Sequence, residues 1–258
     1  VTTPLPEAAA LAWWGTAWLR GEAVTDLVLD ALAADGTLHA VAPGDGRDGQ
    51  GTHDGAGTLL DLLVQLRRRG ATSLGLALPA DGDPLGLGGP PSFNLAALEA
   101  GQAVVAADAG LGAVPQVVGE SVTWQLFPAA RRSVPDVGEA DRELRGTVLA
   151  VADDLAELDV ARWRPELADA VMELRRLPAL DPPPGVPERC VSLAARAVQA
   201  LAVVELAGED HGSPVSASEM ARREGALAPL DRAARRALVA ACSPEVWPDP
   251  PRERPTAG

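Results

Sequence analysis

The residues best placed to do chemistry lie in one stretch, Asp81-Gly82-Asp83-Pro84-Leu85-Gly86-Leu87-Gly88-Gly89-Pro90-Pro91-Ser92-Phe93-Asn94. It follows an apolar run, Ser73 to Pro79, and precedes a helical one, Asn94 to Ala100. In open α/β sheets, ligands bind at the carboxyl ends of strands. Glycines there let the backbone approach a ligand, and Asp81 and Asp83 supply acceptors. Ser92 or Asn94 would cap the next helix, whose free N–H groups can meet an anion. Arg131, in the pair Arg131-Arg132 after a later strand, is the cation to test for anion binding. The same stretch also reads as a structural crossover shaped by Pro and Gly, with Asn94 as a plain N-cap.

A second group, Asp45, Asp48, His53 and Asp54, offers carboxylates and an imidazole to a divalent cation. Its spacing is not that of an EF-hand, because Arg47 stands at the third position and no Glu closes the loop. A mobile acidic loop is the competing reading. Gly44 to Gly49 matches GxGxxG literally, but the next helix starts well beyond it and two Asp would repel a pyrophosphate. No GxSxG or HExxH motif is present, and SxxK is impossible because every basic residue is Arg. The same absence removes Schiff-base and P-loop lysine chemistry, and the absence of Tyr removes a catalytic phenol. Cys190 and Cys242 read as core residues on helices. The repeated Arg pairs, interleaved with acids, read as salt-bridged helix surfaces.

The elements that must position these groups change character along the chain. Pro6 to Ala34 reads as helix, bent or broken at Gly21. Strands are expected at Leu38–Pro43, Ser73–Pro79, Gln102–Ala107 and Val122–Phe127. A helix over Thr58–Arg69, closed by Gly70, and a short one over Asn94–Ala100 lie between them. This gives an α/β or α+β N-terminal unit of about four strands, residues 1–136. From Glu139 the pattern is helical. Leu144, Val148, Val151, Leu155 and Leu158 form one apolar seam, and Pro165 opens a second helix through Leu167, Val171 and Leu174. Pro187 opens a third, Ser216 with Glu219 makes a capping box for a short fourth, and Asp231–Ala241 gives a fifth. Residues 139–246 are therefore expected to be an all-α helical bundle, with 247–258 a disordered tail.

Composition narrows the function classes. With 36 acidic and 22 basic residues, the net charge of −14 opposes nucleic acid and anionic membrane surfaces. Two cysteines make no disulfide framework and suit a cytoplasmic protein. No motif calls for a cofactor. Six Trp beside two Phe either supply the large core aromatics or, on the helix with Trp13, Trp14 and Trp18, cover a neighbour or partner.

Four stretches together resemble a conserved hypothetical protein family of actinobacteria: Trp13 to Gly21 (WWGTAWLRG), Leu76 to Gln102 (LALPADGDPLGLGGPPSFNLAALEAGQ), Asp159 to Asp169 (DVARWRPELAD) and Leu230 to Cys242 (LDRAARRALVAAC). The resemblance covers nearly the whole chain. It implies a bacterial, cytoplasmic polypeptide and carries no activity or site residue. The expected function is a non-catalytic interaction or assembly protein, either a homo-oligomer or the binder of another protein. The alternative is a small-molecule-binding protein or enzyme, with its site at the 81–94 loop and the cleft between the two parts.

Overall fold

The computed structural model describes residues 5–33, 36–44, 57–130, 132–157, 180–208 and 217–248. Helix α1 (Glu7–Leu19) ends where the chain turns at Gly21, and α2 (Thr25–Leu32) follows. Strand β1 (Leu38–Pro43) and the two-residue β2 (Gly57–Thr58) come next. Helix α3 (Leu59–Arg68) starts on a capping box, in which Thr58 and Asp61 satisfy each other's free N–H groups. Strand β3 (Gly75–Ala77), helix α4 (Pro91–Ala100), β4 (Ala103–Ala106), β5 (Leu111–Val118) and β6 (Ser121–Pro128) complete the first part. Three long helices follow: α5 (Val137–Glu157), α6 (Glu188–Gly208) and α7 (Ala217–Ala241).

The strands form one six-stranded mixed sheet in the order β2-β1-β6-β5-β4-β3. Only β1 and β6 run parallel; every other neighbour pair is antiparallel. Four strands were expected from the sequence, and β2 and β5 are the additions. The segment LGAVPQVV hides β5 because a proline inside a strand argues against one. Here Ala113, opposite Val104, is the last β5 residue paired with β4, so beyond it the strand is flanked by β6 alone. Proline is tolerated at such an edge.

Side chains alternate across the sheet and make two faces. One face carries Leu76, Val104, Ala106, Ala113, Val122, Trp124 and Val41 into the main core, with Trp13, Trp14 and Trp18 from α1 and Leu62, Leu63 and Leu66 from α3. The other face carries Ala77, Ala103, Val105, Val114 and Phe127 beneath Phe93 and Ala97 of α4. All three tryptophans of α1 are buried, so they are core residues and leave no aromatic surface on that helix. Trp124 donates from Nε1 to Nδ1 of His39 at 3.1 Å, and the other ring nitrogen of His39 reaches Leu32 O at 2.9 Å.

The expected fourth and fifth C-terminal helices are one helix, α7, which runs through Pro229. Leu227, Leu230, Ala234, Leu238 and Ala241 stay buried on one side without a phase change. That continuous packing offsets the roughly 3 kcal/mol cost of an interior proline. The expected helix after Pro165 and the residue Ser216 lie outside the described residues. Among the described residues after 130, all regular structure is helical, and no described helix is long and apolar enough to cross a membrane.

Candidate functional site

The chemistry expected of the 81–94 loop meets a different arrangement. Asp83 is tied to α7: its Oδ2 accepts from Arg235 Nη1 at 2.9 Å, and its backbone exchanges hydrogen bonds with Ala80. Asn94 does not cap α4. The N-cap is Pro90, because Pro91 suits the first helical position, and Asn94 Oδ1 accepts from the N–H of Gly89 at 3.0 Å. Ser92, on the first turn, makes no capping bond; it and Asp81 face solvent. Arg131 lies outside the described residues, as do Asp45, Asp48, His53 and Asp54. Among the described residues, no group of three His, Cys, Asp or Glu is placed to hold a metal ion.

The polar residues that folding does concentrate sit along the outer edge of β3. An edge strand leaves a row of N–H and C=O groups without partners. Here the outward N–H and C=O groups of Leu74 and Leu76 and the carbonyl of Leu78 are met. Thr16 Oγ1 accepts from Leu74 N–H at 2.9 Å and donates to Leu74 O at 3.2 Å. Leu76 N–H donates to Cys242 O and to Ser243 Oγ, at 3.2 and 3.3 Å. Arg132 Nη1 donates to Leu76 O, and also to Gly86 O at 3.1 Å. Arg235 Nη1 donates to Leu78 O at 2.9 Å. Thr16, Ser243 and Arg235 are three of the few buried polar side chains among the described residues. Their placement is explained by the edge they close.

Arg132 is the deepest charge of this row, its side chain only 1% exposed and 3.5 Å from Glu245. Two glycines make its slot. A Cβ on Gly86 would lie 2.7 Å from Arg132 Nη1, and one on Gly75 would strike Arg132 Nη2 and come within 2.8 Å of Glu245 Oε1. Burial holds the guanidinium below its ordinary value, while Glu245 acts in the opposite direction. Its Nε has no hydrogen-bond partner among the described residues. Beside it opens a cavity of about 440 Å³ lined by Ser73, Asp108, Arg132, Val134 and Glu245. Since the Nη atoms of Arg132 serve the fold, the exposed polar groups of that cleft are mostly carboxylates. Among the described residues, no nucleophile–base pair is formed there.

The surface that stands apart is half of the sheet's second face. Helix α4 covers that face over β3, β4 and the Gly112–Phe127 end of the β5–β6 hairpin. The rest is open. Leu38, Ser121 and Val118 share one register row, and Ala40, Thr123 and Gln116 the next, followed by Ala42 and Gln125. Leu38 is 70% and Val118 77% exposed, and the others are exposed or half-buried. None of these eight positions is charged. The sequence alone could not assemble this set, because it depends on β1 pairing with β6 some 80 residues away. The alternation of Val122–Phe127 was its one visible sign.

Family models for the N-terminal and C-terminal domains of Rv1486c-like proteins match residues 8–139 and 138–239. Over an alignment of 287 residues the chain is 29% identical to the uncharacterized protein Rv1486c of Mycobacterium tuberculosis (strain ATCC 25618 / H37Rv), covering 93% of this chain and 98% of that protein. The uncharacterized protein MT1533 of Mycobacterium tuberculosis (strain CDC 1551 / Oshkosh) matches with the same identity and the same coverage. No solved structure matches the chain. Both relatives are uncharacterized, so they lend no activity to the site. The two family models together run from the first helix into α7, and the chain belongs to the Rv1486c-like protein family.

Proposed function

We propose that this protein is a non-catalytic interaction or assembly protein, and that its contact surface is the open half of the sheet's second face. The observation that carries the reading is the absence of charge there. In a chain that is 22% charged, eight outward strand positions would carry about two charges; these carry none. The polar positions are Gln, Ser and Thr alone, and among them Leu38 and Val118 stand exposed in one register row, on either side of Ser121, as an apolar contact point for a partner. The buried polar residues Thr16, Ser243 and Arg235 support the same reading, because they close the β3 edge.

Residues 139–246 act in this reading as a helical bundle domain that braces the mixed sheet domain, residues 1–136, from behind. The free, buried cysteines fit a cytoplasmic setting. In gentle cell extracts the protein is expected to migrate in an assembly heavier than its own 26.5 kDa. Leu38→Asp together with Val118→Asp returns it to that mass. A wild-type chain that travels alone in extract would overturn the reading.

A further inference from the structure

We propose that the occupant of the open sheet face is a second copy of this chain, packed face to face about a two-fold axis; this rests on the reading of that face as a contact surface. Charge is the first argument. The chain carries −14, so two copies repel each other across almost any approach. The face of Leu38, Ala40, Ala42, Gln116, Val118, Ser121, Thr123 and Gln125 is one on which two such chains can meet without a charged side chain from any of these eight positions. A basic partner would instead be matched by acids on the face, and it has none.

The second argument is self-complementarity. Every polar side chain on the face is an amide or a hydroxyl: Gln116, Gln125, Ser121 and Thr123. Each is both donor and acceptor, so each can pair with a copy of itself or of its neighbours across a two-fold axis. A carboxylate or a guanidinium cannot do that. Sheets pack face to face about 10 Å apart, close enough for Leu38 and Val118 to lose their exposure. Helix α4 stands only on the covered half, so it flanks such a pair.

The test is sedimentation equilibrium of the purified full chain, with no other protein present. The expected mass is twice 26.5 kDa. Raising the salt concentration tightens the pair by screening the repulsion. Val118→Asp with Gln125→Glu weakens association by at least a hundred-fold, with an unchanged circular dichroism spectrum. Leu149→Asp, at an exposed site on α5, leaves the mass unchanged and controls for added charge. A pair that survives the Val118 and Gln125 substitutions overturns the proposal. A single-chain mass for the purified wild type also overturns it; if the extract still shows a heavier assembly, the interaction reading stands with a different partner. If single chains appear in both settings, both readings fall.

Discussion

A thiol moved from water into an apolar interior resists ionisation, and both cysteines are so placed. Burial pushes the Cys190 thiol up to about 11, with Arg189 working against that shift. Burial raises Cys242 as well, and Cys190 adds to the effect. Neither thiol is therefore expected to react with a disulfide reagent at pH 8 in the native protein, and both are expected to react in denaturant. The sign of the pH dependence follows. The unfolded chain loses these protons near the ordinary value of 9.0, while the folded chain holds them to about 11 at Cys190. Stability is then lost as pH rises through that window, and the urea midpoint at pH 10 should fall below that at pH 8. Core cysteines were legible in the sequence from their helical surroundings. The role of Arg132 was not. Its neighbour Arg131 stood out as part of the same pair, and nothing local separates a surface arginine from one that ends in a slot between Gly75 and Gly86.

Strand β3 is the element on which the molecule turns. It is three residues long and apolar throughout, and its free edge is closed by groups from α1, from the segment after β6 and from α7. Thr16→Val keeps the volume but strands the N–H and C=O of Leu74, which should cost about 2 kcal/mol in urea unfolding. Arg132→Met should cost more, about 3 kcal/mol, because it also leaves Glu245 without its counter-charge. Gly75→Ala should destabilise by crowding the same arginine, and Arg132→Met should relieve part of that effect when the two are combined. Most elements could be read from periodicity: β1 matches its expected span, and α3 and α6 lie close to theirs. The misses share a cause. β2, β5 and the unbroken α7 each violate a local rule, through two-residue length or an interior proline, and each is held by long-range packing that a local pattern does not contain.

At the scale of the whole molecule, the two parts are stitched across great distances in sequence. Trp13 Nε1 donates to Ala241 O at 3.1 Å, Trp247 Nε1 donates to the same oxygen at 2.9 Å, and Arg20 lies 5.5 Å over the Trp247 ring. Within the helical part, Asp141 on α5 pairs with Arg196 on α6, and Glu143 on α5 with Arg236 on α7. An isolated fragment 1–136 should therefore not hold the native sheet. Its β3 edge would lose the bonds from Arg235, Cys242 and Ser243, and the Trp13 indole its acceptor on Ala241, and aggregation with loss of the tryptophan near-ultraviolet signal is the expected result. A soluble fragment with native-like spectra would refute this. The indole bond from Trp13 to Ala241 also sets an order in time. Its two ends are 228 residues apart, so while the chain is being made the first helix waits for nearly all the described remainder to emerge. Synthesis at about 5–20 residues per second makes that wait tens of seconds. Through it, the Trp13 indole and the outward groups of β3 that Cys242, Ser243 and Arg235 meet have no permanent partner. The nascent chain should thus depend on holding chaperones far more than the finished protein does.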